Sequence, residues 1–357
     1  MYRLPKPGTH RCQRRRRSRA RRTRAVSRFY AKRARRLLRQ LPNPSSSPFI
    51  GRRCIPFDDR SLGLPFAVAT KKATTPMREQ RTQGPFDTIE THATAASTAV
   101  FIALAIGLSW LLWAPLTVSA LGRTDRQFSP YLHLLGGLGP AAAALIMSGR
   151  EGRAKSFVLR AFRVNGQGVW IALAVVAPVA IYGLSALCLA ALGYRFEWRS
   201  VGQSTEFPDL GMGAYVVANV LAYGFGEELG WRGYALPKLQ GRATAFRATA
   251  VLAGVWAVWH LPLFAFADGM KAMGPAAVAG WLASIFAGAM LMTFVFNASG
   301  GSVIAVALFH GTLDVLINSP TEGPLQMVMG ALVTICGLVV PFVFGTRNLA
   351  PRERVRE

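Results

Sequence analysis

Acidic residues are scarce in this chain: 17 Asp and Glu stand against 42 Lys and Arg in 357 residues, for a formal net charge of +25. That excludes an acidic, solvating polypeptide, and the excess is not evenly spread. Residues 1–76 hold 22 Lys and Arg against only Asp58 and Asp59, whereas 77–357 hold 20 against 15. Cysteine is scarcer still. Cys12, Cys54, Cys188 and Cys336 form no CxxC and no paired spacing, so neither a disulfide framework nor a cysteine metal site is offered. The HExxH helix of the usual zinc proteases is absent, as are GxSxG and a Ser/Lys dyad.

What the chain does hold is of two unlike kinds. "RCQRRRRSRARRTRAVSRFYAKRARRLLRQ" has no acidic residue and little apolar periodicity, and "LPNPSSSP" follows it. Residues 1–95 therefore read as a basic, disordered tail with no packed core. Such a run can hold nucleic acid or anionic lipid through phosphate contacts, or serve as an acid-poor transit peptide. It lacks the apolar stretch of a secretory signal. A third reading is that 1–76 is translated GC-rich upstream DNA and Met77 the true start. No nucleic-acid partner is expected unless the basic tail is real.

From residue 96 onward long apolar runs alternate with short polar ones: about 96–121, 130–148, 168–193, 210–236, 246–266, 275–298, 301–319 and 324–345. Each approaches the roughly 20 residues that a helix needs to cross about 30 Å of hydrocarbon. The expected fold is an all-α polytopic membrane protein of about eight transmembrane helices over 96–345, followed by a short basic tail, 346–357. Eight such runs in succession leave no amphipathic shell that could shield them in water.

Orientation follows from the connectors. Arg150, Arg153, Lys155, Arg160 and Arg163, then Lys238, Arg242 and Arg247, then Arg347, Arg352, Arg354 and Arg356, all fall on one face. The other face collects Arg123, Arg126, Arg195, Arg199 and Lys271, diluted by Asp125, Glu197, Glu206, Asp209, Asp268 and Glu322. Both termini are expected in the cytoplasm, in a bacterial cytoplasmic membrane. "AKSFVLRAFRV" is basic and amphipathic, as suits a helix lying on the inner leaflet.

Few ionisable residues remain inside the runs: His133, Glu227, Glu228, Arg232, His260, His310 and Asp314. Glu228 and Arg232 are i and i+4 and can pair, which leaves Glu227, rotated by about 100°, to face something else. Trp256 and His260 repeat that spacing, as do His310 and Asp314. Counted from the basic face, Glu227, His260 and His310 lie at about 16, 21 and 14 Å, so three helices bring them to similar depth. Polar groups in lipid turn toward a bundle interior, and one hydrated pocket is the expected result. The bland reading is an interhelical hydrogen-bond network without chemistry, and a lone histidine such as His133 is read that way. One carboxylate with two imidazoles can activate water, either on a zinc ion held by Glu227, His260 and His310 or by direct general-base action.

"EELGWR" fits an EExxxR motif, "WAVWH" fits FxxxH with Trp256 in the Phe place, and "HGTLD" fits HxxxN/D with Asp314 last. In these three motifs the chain resembles the CPBP family, the CAAX-processing and bacteriocin-processing membrane endopeptidases also called Abi proteins. The resemblance spans 96–345. It implies that Glu227 activates water, that His260 assists, and that His310 with Asp314 stabilises the oxyanion or completes the polar pocket. Glu228 and Arg232 would brace the helix, and Trp256 would wall the pocket. The family is labelled metalloprotease, though a metal-free glutamate mechanism has also been argued, so zinc stays open as cofactor. Asp314 replaces the commoner Asn, and an ionised carboxylate cannot donate to an oxyanion; it could orient His310 or ligate a metal.

The expected activity is hydrolysis of a peptide bond in a membrane-associated protein or peptide, of CAAX or bacteriocin type. The rival is a non-catalytic scaffold or immunity protein that uses the same pocket for binding. An ion-coupled transporter ranks last, because no matching halves with interrupted helices are visible.

Overall fold

Apolar runs become helices because the backbone has no other way to satisfy its polar groups in hydrocarbon. The computed structural model describes residues 85–357 except 165, 196–197 and 321–323, with side chains from residue 95. The basic tail, Cys12, Cys54, the Met77 start and the charges of Glu197 and Glu322 lie outside the described residues. Within them every regular element is helical. In order these are α1 (Pro85–Ala120), α2 (Tyr131–Gly137), α3 (Gly139–Arg150), α4 (Ala154–Ala161), α5 (Gly168–Ala191), α6 (Met212–Asn219) and α7 (Gly226–Gly230). There follow α8 (Leu236–Arg242), α9 (Ala245–Trp259), α10 (Leu263–Phe266), α11 (Asp268–Lys271), α12 (Pro275–Ala298), α13 (Val303–Ile317) and α14 (Leu325–Phe344).

Five helical stretches are long and apolar enough to cross a membrane: Ala95–Ala120, Tyr131–Arg150, Gly168–Ala191, Pro275–Ala298 and Leu325–Phe344. The other three apolar runs are also helical but differ from plain spans. α9 and α13 have 15 residues each, about 22 Å of helix. Pro262 stands just beyond α9 and Pro320 just beyond α13, and a proline disfavours helix in the residue before it. The run 210–236 is segmented: α6, α7 and α8 are joined through π-helical turns at Val220–Phe225 and Trp231–Ala235. Those turns bracket Glu227 and Glu228.

Small residues let that segmented helix approach its neighbours. A Cβ on Gly230 would lie 2.5 Å from Pro140 of α3, and one on Gly224 would lie 2.5 Å from the Ala307 carbonyl oxygen of α13. Such contacts are the usual means of helix association in lipid, where burial of apolar surface drives nothing. α3 also packs on α1, α13 on α5, and α12 on both α9 and α14. Trp113, Trp231 and Trp259 are the largest fully buried side chains at the centre. Each indole N–H needs a partner there. Trp113 donates to the His133 carbonyl at 3.0 Å and Trp259 to the Ser109 hydroxyl at 2.7 Å, while Ser109 donates in turn to the Gly136 carbonyl at 2.7 Å.

The three basic segments meet on one face. Lys238, only 4% exposed, lies 3.1 Å from Glu151 and 3.0 Å from Glu357, and Arg153 pairs with both carboxylates. Residues 346–357 fold back onto the bundle: Asn297 bonds Gln240 and the Asn348 carbonyl, and Arg354 donates to the Gln240 carbonyl. Of the sequence AKSFVLRAFRV, α4 buries Phe157 and Ala161 and exposes Val158 and Leu159. Cys188 and Cys336 are exposed and unpaired.

Burial alone would raise the Glu151 carboxyl, but hydrogen bonds from Tyr234, Arg153 and Lys238 outweigh it and hold the group below the ordinary carboxylate range. A lowered value means that Glu151 stabilises the fold above its unfolded pKa, about 4.3, and that this support is lost as pH falls through the folded value. Glu151→Gln should therefore lower the thermal midpoint in detergent at pH 7. The gap to wild type should close as pH falls through the lowered Glu151 value. A gap that stays constant with pH would refute the assignment.

Candidate active site

The segmented helix turns Glu227 and Glu228 to different neighbours, as their 100° offset requires. Glu227 is 3% exposed and faces two indoles: Trp256 Nε1 donates to its Oε2 at 2.6 Å and Trp231 Nε1 donates to the same oxygen at 3.2 Å. Trp231 is one turn along the same helix and Trp256 comes from α9. Glu228 is fully buried and accepts on Oε1 from Arg232 Nη1 at 2.7 Å, the i, i+4 pair that the spacing predicts. The same oxygen lies 2.9 Å from His310 Nδ1 on α13. A carboxylate accepts only, so Nδ1 carries the proton of that bond and Nε2 is directed elsewhere.

Trp256 is the hub of the cluster and does more than wall a pocket. Its indole N–H reaches Glu227, its ring meets His260 edge-on at 5.3 Å and His310 at 5.5 Å, and the Arg232 guanidinium covers it at 5.4 Å. His260 caps the C-terminal end of α9. Its Nδ1 donates to the Trp256 carbonyl at 2.6 Å, which leaves Nε2 with a lone pair in the neutral ring. Trp259 and Trp281 hold the same imidazole edge-on at 4.8 and 5.6 Å.

Asp314 stands apart from His310. Its two oxygens accept from Asn219 Nδ2 and Asn318 Nδ2, each at 3.0 Å. His310 is thus oriented by Glu228, and Asp314 is held by amides from α6 and from the residue just beyond α13. Asn219 is fully buried and is a member of the site that charge-based sequence reading passes over. His133 is satisfied outside the cluster, with Nδ1 at 2.7 Å from Glu206. His260 and Asp314 are half-buried and Asn318 is exposed, so the cluster is least covered toward the C-terminal ends of α9 and α13.

Glu227, His260 and His310, the zinc set that their similar depth offered, do not draw together as ligands. Among the described residues no three His, Cys, Asp or Glu side chains are grouped so as to hold a metal ion. Two indoles occupy Glu227 Oε2, and the Nδ1 atoms of His260 and His310 bond the Trp256 carbonyl and Glu228, which leaves Oε1 and the two Nε2 atoms. As placed, these three side chains are not grouped closely enough to hold zinc.

Comparison with known proteins finds two likenesses. Over 37 residues the chain is 51% identical to CAAX prenyl protease 2 of Methanococcus maripaludis, a stretch that is 10% of this chain and 14% of that relative. The match thus spans about a seventh of the relative's length. Two features bear on class: five helices suited to a membrane and a family model that covers the polar cluster. Together they make the chain an integral membrane protein. Residues 210–316, which contain Glu227, Glu228, Arg232, Trp256, His260, His310 and Asp314, match the family described as type II CAAX prenyl endopeptidase Rce1-like.

Proposed function

We propose that the chain is an intramembrane endopeptidase of glutamate type, cleaving a membrane-associated peptide or a C-a-a-X end. The observation that carries this reading is the Glu227 carboxylate: it is buried, and both of its indole donors fall on one oxygen. That leaves Oε1 for a water. Glu227 takes a proton from this water as its oxygen attacks the scissile carbonyl, and the proton passes to the leaving amine. His260, with Nδ1 fixed, offers Nε2 to the same water. His310, turned by Glu228, and Asp314, held by two amides, complete the polar wall.

Purified protein in detergent, offered a library of lipidated and plain peptides with and without chelator, tests the reading. Cleavage that survives the chelator supports the glutamate type; cleavage abolished by the chelator restores the zinc reading. Absence of cleavage by wild type under every condition favours the binding-only rival.

The Trp256 indole gives a finer check. A hydrogen bond to a charged group is worth about 1.5–3 kcal/mol, or roughly 10- to 100-fold in rate where it aligns the reacting group. Trp256→Phe keeps the ring against both imidazoles but removes the donor to Glu227. It should slow cleavage by about that factor. An unchanged rate would mean that Trp231 suffices to hold the carboxylate.

A further inference from the structure

A tetrahedral intermediate needs a hydrogen-bond donor for its oxyanion, and most donors of the cluster are already spent. The Trp231 and Trp256 indoles bind Glu227, Asn219 binds Asp314, and the His260 and His310 Nδ1 atoms bind Trp256 and Glu228. Arg232 Nε lacks a partner, but Arg232 is tied to Glu228 and lies over the face of Trp256. A neutral donor remains: among the described residues the buried Tyr223 hydroxyl has no hydrogen-bond partner.

Its placement is not accidental. Tyr223 lies four residues before Glu227, in the π-helical turn Val220–Phe225 that leads into α7, and so projects near the same face. Its ring packs against the His133 imidazole at 5.4 Å, itself fixed by Glu206. Gly137 also allows such close approach that a Cβ there would lie 2.8 Å from Tyr223 Cδ1. The charges of Glu206, Asp314 and Glu227 all reach the phenol electrostatically. A neutral phenol hydroxyl is a hydrogen-bond donor. An unpaired buried hydroxyl is costly in the resting protein, a cost removed when a ligand brings an acceptor.

We propose that Tyr223 is a catalytic residue whose hydroxyl donates to the scissile carbonyl oxygen as it becomes an oxyanion. The inference rests on the endopeptidase reading. As the water oxygen bonds to the carbonyl carbon, its proton goes to Glu227 and the C=O π pair moves onto oxygen, where the Tyr223 O–H meets it. On collapse the C–N bond breaks, the amine leaves with the proton from Glu227, and Tyr223 returns to its unpaired state.

The test is Tyr223→Phe in the full chain, assayed with the library peptide that wild type cleaves fastest and with the C-terminal aldehyde of its acyl portion, which can hydrate to a tetrahedral mimic. Expected are a fall in kcat of about 10²–10³ with little change in KM, and a similar loss of aldehyde affinity. The thermal midpoint should be unchanged or raised, because the hydroxyl has no partner to lose. A structural role predicts the opposite pattern, a lowered midpoint with kcat kept. A variant that cleaves at the wild-type rate overturns the inference and leaves the endopeptidase reading intact; a wild type that neither cleaves nor binds the aldehyde overturns both.

Discussion

Glu227→Gln should abolish cleavage, by about 10²–10⁴-fold if the carboxylate acts as general base, while the protein stays folded. The two halves of that expectation have separate causes. Gln keeps an amide oxygen where Trp231 and Trp256 donate, so the indoles retain an acceptor at 3.2 and 2.6 Å and the surrounding packing is undisturbed. It also relieves the cost of a carboxylate buried without a cation bound to it. The amide cannot take a proton from water at neutral pH. Activity loss with an unchanged or higher thermal midpoint is therefore the signature to look for. A variant that cleaves normally would move the base elsewhere, with His260 Nε2 the next candidate.

The sequence made the helices legible because a membrane allows few alternatives: every apolar run is helical, including those too short or too broken to count as plain spans. The Glu228–Arg232 pair was legible for a similar reason, since i, i+4 spacing is internal to one helix. Contacts between helices were not. That Glu228 also orients His310, and that Trp256 rather than a second polar group faces Glu227, depends on how three helices are rotated against one another, which a 3.6-residue wheel does not specify.

The π turns add to the difficulty. Each inserts about one residue into the helical period, so residues 212–219 do not keep the phase that a wheel drawn from Glu227 would assign them. Asn219 was overlooked on that account, and Tyr223 because it carries no formal charge. An asparagine within an apolar run was nonetheless a signal, since an uncompensated amide in hydrocarbon is as much in need of a partner as an ion. The basic connectors were read by counting charge; of their cations Arg153, Arg160 and Lys238 lie against Glu151 or Glu357.

Glu228→Gln should behave unlike its neighbour and destabilise the fold by about 3–5 kcal/mol, read as a fall in the thermal midpoint in detergent. Glu228 and Arg232 are 0% and 1% exposed, and Gln leaves the guanidinium charged with no compensating carboxylate in contact. Replacing both partners, Glu228→Leu with Arg232→Leu, removes the stranded charge as well. That variant should recover most of the lost stability, since a buried pair exchanged for apolar side chains is often neutral. Activity should not recover with it. His310 Nδ1 would still lack the oxygen that now holds it at 2.9 Å, and its ring would be free to turn against Trp256. Stability restored without cleavage would separate the two roles of Glu228, bracing the helix through Arg232 and orienting His310 across the bundle. Cleavage restored together with stability would reduce Glu228 to a brace and leave His310 to be positioned by packing alone.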